Sequence, residues 1–515
     1  MSLYAIGVGG TGAKCLEAIA ILASVGLLAE PGKAAPKITL LFVDADETNG
    51  SLQRSRNSIN LYQKSYRFFS QHRPVMPWMQ TELKDLGLWS PFSRTSTDKK
   101  LGTLLHYSTL KQTSPVLGGL FDVLFTEEER EATLDVGFRG RPAIGSAVMS
   151  QVDLDRLDEP EWRQLIESIN AEAGSGGNPR IMLFGSMFGG TGASGLPTLG
   201  KLLTEKLSRT KMGGRAPVGC SFLLPYFSFT PSGEMAEGEV FARADQFLLS
   251  TEAALRYYLT QAEQMFKTVY LLGNQTLSSV KFSIGKQSQR NQPHFMELIS
   301  ALAARHFLLR SEDEASDLAL ISRQKQGQVT WADIPDQQAV KGNLGCGVRF
   351  AYTWLANIAP ELDHATKIGV KRFCGEAPWF ARFYKSPEGL FSKIGLGGDN
   401  SFPDFNAPEQ QQAVEAVTEW CKDFLRWMAE IHQCEAETIN LFQHTNEFSQ
   451  LNGQAIAADR LATLVADIAV DRNQQDKDTI PDLKLKLNRD WSKDNLGDGT
   501  AGLARAIYRL CQIST

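Results

Sequence analysis

The chain has 515 residues, of which 43% are hydrophobic, a composition typical of globular proteins with two or three domains. Its formal net charge of −5 gives no general attraction to nucleic acid or to an anionic membrane. The seven scattered cysteines form no Cys-x-x-Cys pair, so we expect reduced thiols in a cytoplasmic protein, with neither a zinc site nor a disulfide framework. No signal-peptide pattern opens the chain and no run of eighteen apolar residues occurs, so we expect no membrane span.

The first predicted elements have the order of a parallel α/β sheet. Residues 3–8 predict a short buried strand, 12–29 a helix, and 38–43 a continuous apolar strand that is covered on both faces. A strand, a glycine turn, a helix and a second strand make the opening of such a sheet. The polar and aromatic stretch over residues 52–135 predicts helices and long loops inserted after the second strand.

Strands and helices then alternate as far as about residue 310, and helical patterns dominate beyond residue 320. The sequence therefore predicts an α/β fold, with a mostly parallel sheet, helices on both of its faces, and a largely helical C-terminal region. Residues 471–482 predict an exposed linker. The further predicted strands are 181–188, 218–227 and 268–274, and the further predicted helices are 159–174, 195–208, 244–265, 293–310, 408–433, 456–470 and 498–513.

Two glycine-rich segments each follow a predicted strand and open a predicted helix: the first glycine segment (residues 7–12) and the second glycine segment (residues 189–195). Glycine lets the backbone turn tightly and approach a phosphate, and the following helix presents free N–H groups and the positive end of its dipole. Two such segments at neighbouring strand ends are able to hold the phosphates of one nucleotide from two sides. Neither has the Gly-x-x-x-x-Gly-Lys-Ser/Thr pattern of a P-loop.

The first glycine segment by itself also fits the Gly-x-Gly-x-x-Gly pattern of dinucleotide-binding folds, with Asp44 or Asp46 as the acid that binds a ribose. A plain Rossmann oxidoreductase is therefore an alternative, although it leaves the second glycine segment without a role. An adenylating enzyme similar to ThiF is another alternative, because residues 43–54 have a passing likeness to its Asp-x-Asp segment. Against it stand the second glycine segment and the absence of paired zinc cysteines.

Four segments in chain order resemble the nucleotide-binding loops of the tubulin/FtsZ superfamily, and of prokaryotic tubulin-like proteins in particular. They are IGVGGTGAK at 6–14, LFVDAD at 41–46, GFRGRPAIG at 137–145 (the third segment below) and MFGGTG at 187–192. The resemblance implies a tubulin/FtsZ-like fold with GTP or GDP as the bound nucleotide. The residues that it implies for nucleotide contact are Gly9, Gly10, Thr11, Gly12, Asp44, Asp46, Arg139, Arg141, Gly189, Gly190, Thr191, Gly192, Asn274 and Asn291.

Within that resemblance, Arg139 and Arg141 belong to the loop beside the γ-phosphate, where a guanidinium is able to pair with phosphate oxygens. Asn274 follows a strand and Asn291 stands at the predicted start of the long central helix, where the family has residues that contact the ribose or the base. In place of two family glycines and of an aromatic residue that stacks on the base, the chain has Phe188, Ser194 and Gln287.

The resemblance also implies a GTPase that is activated by self-assembly. In the family, an acidic loop after the central helix enters the nucleotide site of the next subunit, where its carboxylates position the attacking water. The catalytic candidates in the corresponding loop are Glu312, Glu314 and Asp317. A solvated acidic turn at a helix end gives the same pattern. In that case the chain is a nucleotide-binding structural or sensing protein with little hydrolysis.

The resemblance sets the expected organisation of the chain. A nucleotide-binding domain is expected over residues 1–290, a central helix with the acidic loop over 291–320, and a largely helical C-terminal domain over 321–515. The expected partner is the chain itself, in head-to-tail filaments, because a head-to-tail contact that does not close generates an open assembly. Mg²⁺ is expected beside the phosphates, with no ligand residue identified.

Overall fold

A computed structural model of the chain describes residues 1–30, 32–70, 78–92, 98–155, 159–209, 216–229, 244–281, 283, 285–310, 317–321, 331–334, 336–385, 402–434, 480–491 and 494–512. At positions 259, 261–264, 317–321, 331 and 480 only the backbone is described. The chain divides into two compact units. The first comprises residues 1–20, 36–59 and 83–329, and the second comprises residues 21–35, 60–82 and 330–515.

The strands of the described residues form one large sheet and one small sheet. They are β1 (Ser2–Val8), β2 (Lys37–Val43), β3 (Glu82–Trp89), β4 (Pro179–Ser186), β5 (Val218–Leu223), β6 (Phe227–Ser228), β7 (Thr268–Leu272), β8 (Ser278–Ser279) and β9 (Asp317–Ile321). The large sheet has the order β3-β2-β1-β4-β5-β7-β9, and parallel pairings join β2, β1, β4, β5, β7 and β9. The predicted α/β class with a parallel sheet is thereby confirmed.

The central strands are apolar because they are covered on both faces. Every residue of β4 and of β5 is buried, which an alternating strand with one solvated face does not show. The register places Gly7 of β1 beside Phe42 of β2 on one side and beside Phe184 of β4 on the other. The carboxyl ends of the three strands therefore lie together at one edge of the sheet.

Two helices, α1 (Gly9–Ser24) and α2 (Gly50–Phe69), start in the first unit and extend into the second. A group of short helices follows β3, and longer helices alternate with the later strands. They are α3 (Leu101–Leu104), α4 (Tyr107–Thr113), α5 (Pro115–Leu124), α6 (Glu127–Glu131), α7 (Pro142–Met149), α8 (Pro160–Gly174), α9 (Gly190–Ser208), α10 (Phe247–Met265) and α11 (Phe295–Leu309).

The second unit is helical in its described residues. Its helices are α12 (Gln337–Thr353), α13 (Ala359–Ile368), α14 (Val370–Glu376), α15 (Pro408–Cys434), α16 (Ile480–Leu487) and α17 (Gly499–Leu510). Trp420, Phe424 and Trp427 recur at helical spacing on α15 and are all buried, so they pack in the core as their spacing indicates. No helix within the described ranges has both the length and the apolar character to cross a membrane.

Several predicted boundaries are wrong, and each error has a physical reason. The strand β3 was predicted as helix or loop, because its charged residues and Gly87 hide the alternation of an edge strand. The predicted strand 218–227 ends at Leu223, two residues before a proline. The exposed linker predicted over 471–482 is helical from Ile480, and its earlier part, like the helix predicted over 456–470, lies outside the described residues.

The predicted domain boundaries at residues 290 and 320 also differ from the division of the chain. The first unit extends to Val329, and the second unit takes residues 21–35 and 60–82 from the N-terminal half. This arises because the later parts of α1 and α2 belong to the second unit. A prediction that cuts the sequence into consecutive domains assigns each helix to one domain, so it does not anticipate helices that belong to both units.

Candidate functional site

The two glycine segments lie at the point where the strand order of the sheet reverses. They follow β1 and β4, which are neighbours, while chain order runs outward from β1 to β3 on one side and from β4 to β9 on the other. In open α/β sheets, ligands bind in the crevice outside the carboxyl ends of the strands at such a switch point. A cleft with an empty volume of about 1050 Å³, which includes open solvent, lies here and is lined by residues of the first unit.

The two glycine segments contact each other in this cleft. Gly9 has a φ of +73°, in the left-handed region that favours glycine. A Cβ atom added to Gly9 would lie 3.3 Å from the Cβ of Thr191 and 3.4 Å from the backbone nitrogen of Gly192. The structure thus brings together, as lining residues of one cleft, Gly9, Gly10, Thr11, Gly189, Gly190, Thr191 and Gly192.

The glycine segments are the first turns of helices rather than turns that precede them. The sequence predicts helices from residues 12 and 195, but α1 begins at Gly9 and α9 begins at Gly190. Glycine is a poor helix former, so a sequence pattern assigns such residues to a loop. Residues of the first turns of both helices line the cleft.

Gly12, which the resemblance assigns to nucleotide contact, has a packing role. It is not among the described residues that line the cleft. A Cβ atom there would lie 2.5 Å from the carbonyl oxygen of Phe184 and 2.6 Å from the carbonyl carbon of Gly7. The absence of a side chain at Gly12 lets α1 pack closely against β1 and β4, which is the role of the third glycine in dinucleotide folds.

The electrostatics of the cleft favour an anion. The first turns of α1 and α9, all of whose residues are described, contain no acidic residue, and no side chain caps the amino end of α9 at Gly189. Each helix therefore presents unsatisfied N–H groups and a partial positive charge of about half an elementary charge. Two such ends beside one cleft favour the binding of an anion.

Asp44 is the acidic residue of the cleft with free coordinating capacity. Its side chain is 3% exposed, and its Oδ1 accepts hydrogen bonds from the backbone N–H of Asp46 at 3.2 Å and from the hydroxyl of Thr191 at 3.3 Å. The buried Oδ2 has no hydrogen-bond partner in the described part of the chain. Burial raises the pKa of Asp44 from 3.8 to about 7. A cation that replaced the proton would restore the charged form.

Asp46 also lines the cleft, but both of its carboxylate oxygens are engaged. Its Oδ1 accepts hydrogen bonds from the backbone N–H of Thr48 at 3.0 Å and from the hydroxyl of Thr48 at 2.9 Å. Its Oδ2 accepts one from the backbone N–H of Lys286 at 2.6 Å. Asp46 thus ties the segment before α11 to the end of β2, which gives it a positioning role.

The third segment brings one of its two arginines to the cleft. Arg139 has a φ of +48° and lines the cleft, and its Nε donates a hydrogen bond to the carbonyl oxygen of Thr133 at 3.1 Å. Arg141 is not among the described lining residues. Its guanidinium donates to Oε1 of Gln246 at 3.4 Å and lies 3.7 Å from Oε1 of Glu129. The structure therefore places Arg139, and not Arg141, at the cleft.

Of the two asparagines that the resemblance assigns to ribose or base contact, one is among the described residues that line the cleft and the other is not. Asn291 lines the cleft, and its backbone N–H donates to the hydroxyl of Ser51 at 3.1 Å. It lies four residues before α11, because the helix begins at Phe295 after His294, whose side chain accepts a hydrogen bond from Met296. Asn274 comes two residues after β7 and does not line the cleft within the described residues.

A buried ion pair beside the cleft was not predicted from the sequence. Lys14 is 3% exposed and lines the cleft, and its ammonium group pairs with the carboxylate of the fully buried Glu297 and donates to the Tyr226 hydroxyl at 3.1 Å. The hydroxyl of Tyr226 donates in turn to Glu297. One signal was available: Lys14 follows the first glycine segment on a helix whose first turn faces the cleft. Glu297 was also visible as the third residue after the helix cap His294.

A group of aromatic rings lines one wall of the cleft. The ring of Phe188, which stands where the family usually has glycine, is 1% exposed and lies 5.3 Å from the Phe227 ring and 4.8 Å from the Phe247 ring. Phe229 lies 5.6 Å from Phe247, and both Phe227 and Phe229 are half-buried. Partly exposed aromatic faces of this kind suit the apolar ring of a nucleobase.

The acidic candidates are not at the cleft as far as the structure describes them. Glu312 and Glu314 lie outside the described residues. Asp317, of which only the backbone is described, is the first residue of β9 and pairs with Thr268, the first residue of β7. Asp317 therefore lies at the amino edge of the sheet, whereas the cleft lies at the carboxyl edge.

No family model, no curated protein and no solved structure matches the chain. No three His, Cys, Asp or Glu side chains are grouped as metal ligands within the ranges that the structure describes. A cation at this site would therefore take Asp44 together with oxygens of a bound ligand, which is the way that Mg²⁺ is usually held.

The buried ion pair predicts a strongly coupled pair of substitutions. Lys14→Met leaves the charge of Glu297 buried and unpaired, so we expect the free energy of unfolding to fall by about 3–5 kcal/mol. The double substitution Lys14→Met/Glu297→Gln removes both charges and keeps a hydrogen-bond acceptor, so it should recover most of that loss. Urea unfolding of the three proteins measures the coupling. A double variant that is no more stable than the single one would contradict a buried charge pair.

Proposed function

We propose that the chain binds a nucleoside triphosphate whose phosphates lie between the first turns of α1 and α9. The observation that carries the proposal is the contact between the two glycine segments at Gly9 and Thr191. Two helix ends with free N–H groups, brought together at a switch point of the sheet, suit a chain of phosphates better than a single phosphate group. The aromatic wall that includes Phe227 and Phe229 supports a base and a ribose in the same cleft.

The proposed nucleotide is GTP, with GDP as the product. The choice of guanine rests on the resemblance of four segments to the tubulin/FtsZ superfamily. Mg²⁺, when bound, neutralises phosphate charge, and Asp44 is the described residue that suits it, since its buried Oδ2 is without a partner in the described part of the chain. Arg139 and the backbone of the third segment would bind the terminal phosphate, because they line the cleft beside Gly190.

Hydrolysis in the proposed mechanism needs a second copy of the chain. Asp317 begins a strand at the sheet edge opposite to the cleft, so in this proposal it acts on the nucleotide of another copy rather than on that of its own. A head-to-tail contact that does not close gives a filament, which is the assembly proposed here. The nucleotide would bind within one copy, and the acidic loop of the next copy would position the attacking water.

The first prediction of the proposal concerns the second glycine segment. A Cβ atom at Gly190 would lie 2.9 Å from the Cβ of Phe138 and 3.2 Å from the backbone nitrogen of Gly140. We expect Gly190→Val to weaken GTP binding by about a hundredfold or more, because the side chain separates the segments that hold the phosphates. Isothermal titration with GTP measures this, and circular dichroism verifies the fold.

The matched control for that experiment is Gly375→Ala on α14, a helical glycine at which an added Cβ meets nothing within 4 Å. Its GTP affinity should equal that of the parent chain. NAD⁺ and ATP are titrated in parallel. Unchanged GTP affinity in a folded Gly190→Val protein, or tight NAD⁺ binding that Gly190→Val leaves intact, would refute the two-segment site and favour a dinucleotide fold.

The raised pKa of Asp44 predicts how binding depends on pH. Below its folded-state pKa of about 7 the carboxyl group is protonated, so a Mg²⁺ ion has to displace the proton. We expect the affinity for Mg²⁺–GTP to rise by up to about tenfold per pH unit between pH 5.5 and 7 and to level off above that. The Asp44→Asn variant shares the ionisation of the γ-phosphate but lacks this carboxyl, so its affinity should rise less steeply with pH. Equal slopes for the two proteins would show that Asp44 takes no part.

The same pKa has the opposite effect on the ligand-free protein. Because the folded state holds the Asp44 proton more tightly than the unfolded state, its contribution to stability is complete below pH 4 and is lost as the pH rises through about 7. Asp44→Asn should therefore stabilise the ligand-free protein at pH 8 and have less effect at pH 4, as thermal unfolding at the two pH values measures.

The proposed need for a second copy predicts kinetics that depend on protein concentration. Phosphate release from GTP, per molecule of protein, should rise steeply with protein concentration, and Asp317→Ala should reduce it at least tenfold while GTP affinity stays the same. GTP binding with no phosphate release at any concentration would favour a structural or sensing role. Release of pyrophosphate from ATP would favour an adenylating enzyme.

A further inference from the structure

The ammonium group of Lys14 lies against the aromatic wall of the cleft. Its Nζ is 5.3 Å from the centre of the Tyr226 ring and 5.8 Å from the centre of the Phe227 ring. Three basic residues of the described part of the chain line the cleft: Lys14 is buried, whereas Arg139 is half-buried and Lys281 is exposed. A buried polar group beside the aromatic side chains of a pocket is the kind of group that fixes the orientation and the identity of a ligand.

The protein holds this ammonium group in one position. Oε1 of the fully buried Glu297 pairs with it and accepts a hydrogen bond from the Tyr226 hydroxyl, while Oε2 accepts one from the backbone N–H of His294. Lys14 belongs to α1 and Glu297 to the first turn of α11, so two helices fix the pair. Because the ammonium group is already ordered, a ligand that binds to it does not have to immobilise a flexible side chain.

One of the N–H donors of Lys14 is only weakly engaged. An ammonium group has three donors. Glu297 accepts one of them, and the Tyr226 hydroxyl accepts another at 3.1 Å. The third has the carbonyl oxygen of Gln292 at 3.5 Å, longer than the distance of about 2.9 Å that is usual for an N–H···O hydrogen bond. A ligand oxygen in the cleft is therefore able to take this donor with little loss of bonding to the protein.

A donor at this place distinguishes the purine bases from one another. A purine that stacks on the Phe227 ring would bring its edge toward the ammonium group, which lies beside the same ring. Guanine and hypoxanthine have at C6 a carbonyl oxygen, which accepts hydrogen bonds, whereas adenine has there an amino group, which donates them. Because an ammonium group only donates, it bonds to the carbonyl oxygen and offers nothing to the amino group.

We propose that Lys14 is the residue by which the cleft selects a purine nucleotide with a carbonyl oxygen at C6. The inference rests on the proposed function, since it takes the nucleotide to be bound with its base against the aromatic wall. Its own support is the contact of Lys14 with that wall, not the resemblance of the glycine segments. Glu297 is a positioning residue in this inference, because its carboxylate holds the ammonium group. A site built to hydrogen-bond a polar group of its ligand strongly rejects an analogue that lacks the group.

The first measurement compares four nucleotides on the parent chain. ITP and ATP differ at C6, where one has the carbonyl oxygen and the other the amino group. GTP and 2-aminopurine riboside triphosphate both keep the 2-amino group, and the second has only hydrogen at C6. We expect isothermal titration to show binding that is about tenfold or more tighter for the carbonyl member of each pair. These comparisons need no substitution, so they test the inference whether or not a variant folds.

The second measurement removes the donor. Lys14→Met/Glu297→Gln takes away both charges together, and it should reduce the ratio of the ATP and GTP dissociation constants from about ten or more to about one. A merely structural role would weaken both nucleotides alike and leave that ratio unchanged. The matched control Lys201→Met/Glu205→Gln removes the same two charges from an exposed pair on α9 and should keep the ratio of the parent chain.

The outcomes separate this inference from the proposed function. If the parent chain binds ATP as tightly as GTP or more tightly, and Gly190→Val weakens both, the nucleotide site stands and selection by Lys14 is wrong. The same conclusion follows if the folded Lys14→Met/Glu297→Gln protein keeps the ratio of the parent chain. If the parent chain binds none of the four nucleotides, the proposed function and this inference are both overturned.

Discussion

The cleft depends on one constraint: glycine positions let the backbones of the first glycine segment, the second glycine segment and the third segment approach one another closely. A Cβ atom at Gly9 would meet Thr191, and one at Gly190 would meet Phe138 and Gly140 of the third segment. Because glycine occupies these positions, no side chain there lies between the backbone N–H groups and the cleft. Such groups are fixed in direction by the helices that they open, so they are organised for an anion before one arrives.

Bringing two helix ends together has an electrostatic cost that no acidic side chain within either first turn offsets. The positive ends of α1 and α9 repel each other, and no acidic side chain lies in either first turn, both of which are described in full. The nearby ammonium group of Lys14 is neutralised by Glu297 and so offers no relief. An anion between the two helix ends would lower the free energy of the whole arrangement. For the same reason, a lysine beside two positive helix ends is tolerated when a carboxylate neutralises its charge, as Glu297 does for Lys14.

The sequence predicted the sheet and its carboxyl edge because continuous apolar runs and glycine segments are local patterns. The two glycine segments were expected at neighbouring strand ends, and the structure brings Gly9 beside Thr191 and Gly192. Other features depend on distant contacts that no local pattern contains: Gly12 serves packing, Arg141 pairs with Gln246, and Lys14 pairs with Glu297 across 283 positions of the chain. The edge strand β3 was missed because a strand with one neighbour tolerates charged residues.

The two aspartates after β2 show how hydrogen-bond satisfaction distinguishes a structural residue from one available to a ligand. The sequence treats Asp44 and Asp46 as equivalent, and both are almost fully buried. Asp46 accepts three hydrogen bonds from Thr48 and Lys286, so the protein itself engages both of its oxygens, and its removal would release the segment before α11. Asp44 keeps one buried oxygen for which the described residues offer no donor, and burial raises its pKa to about 7. The Oδ2 that is unpartnered among the described residues therefore makes Asp44, rather than Asp46, the carboxylate of this pair that is available to a ligand.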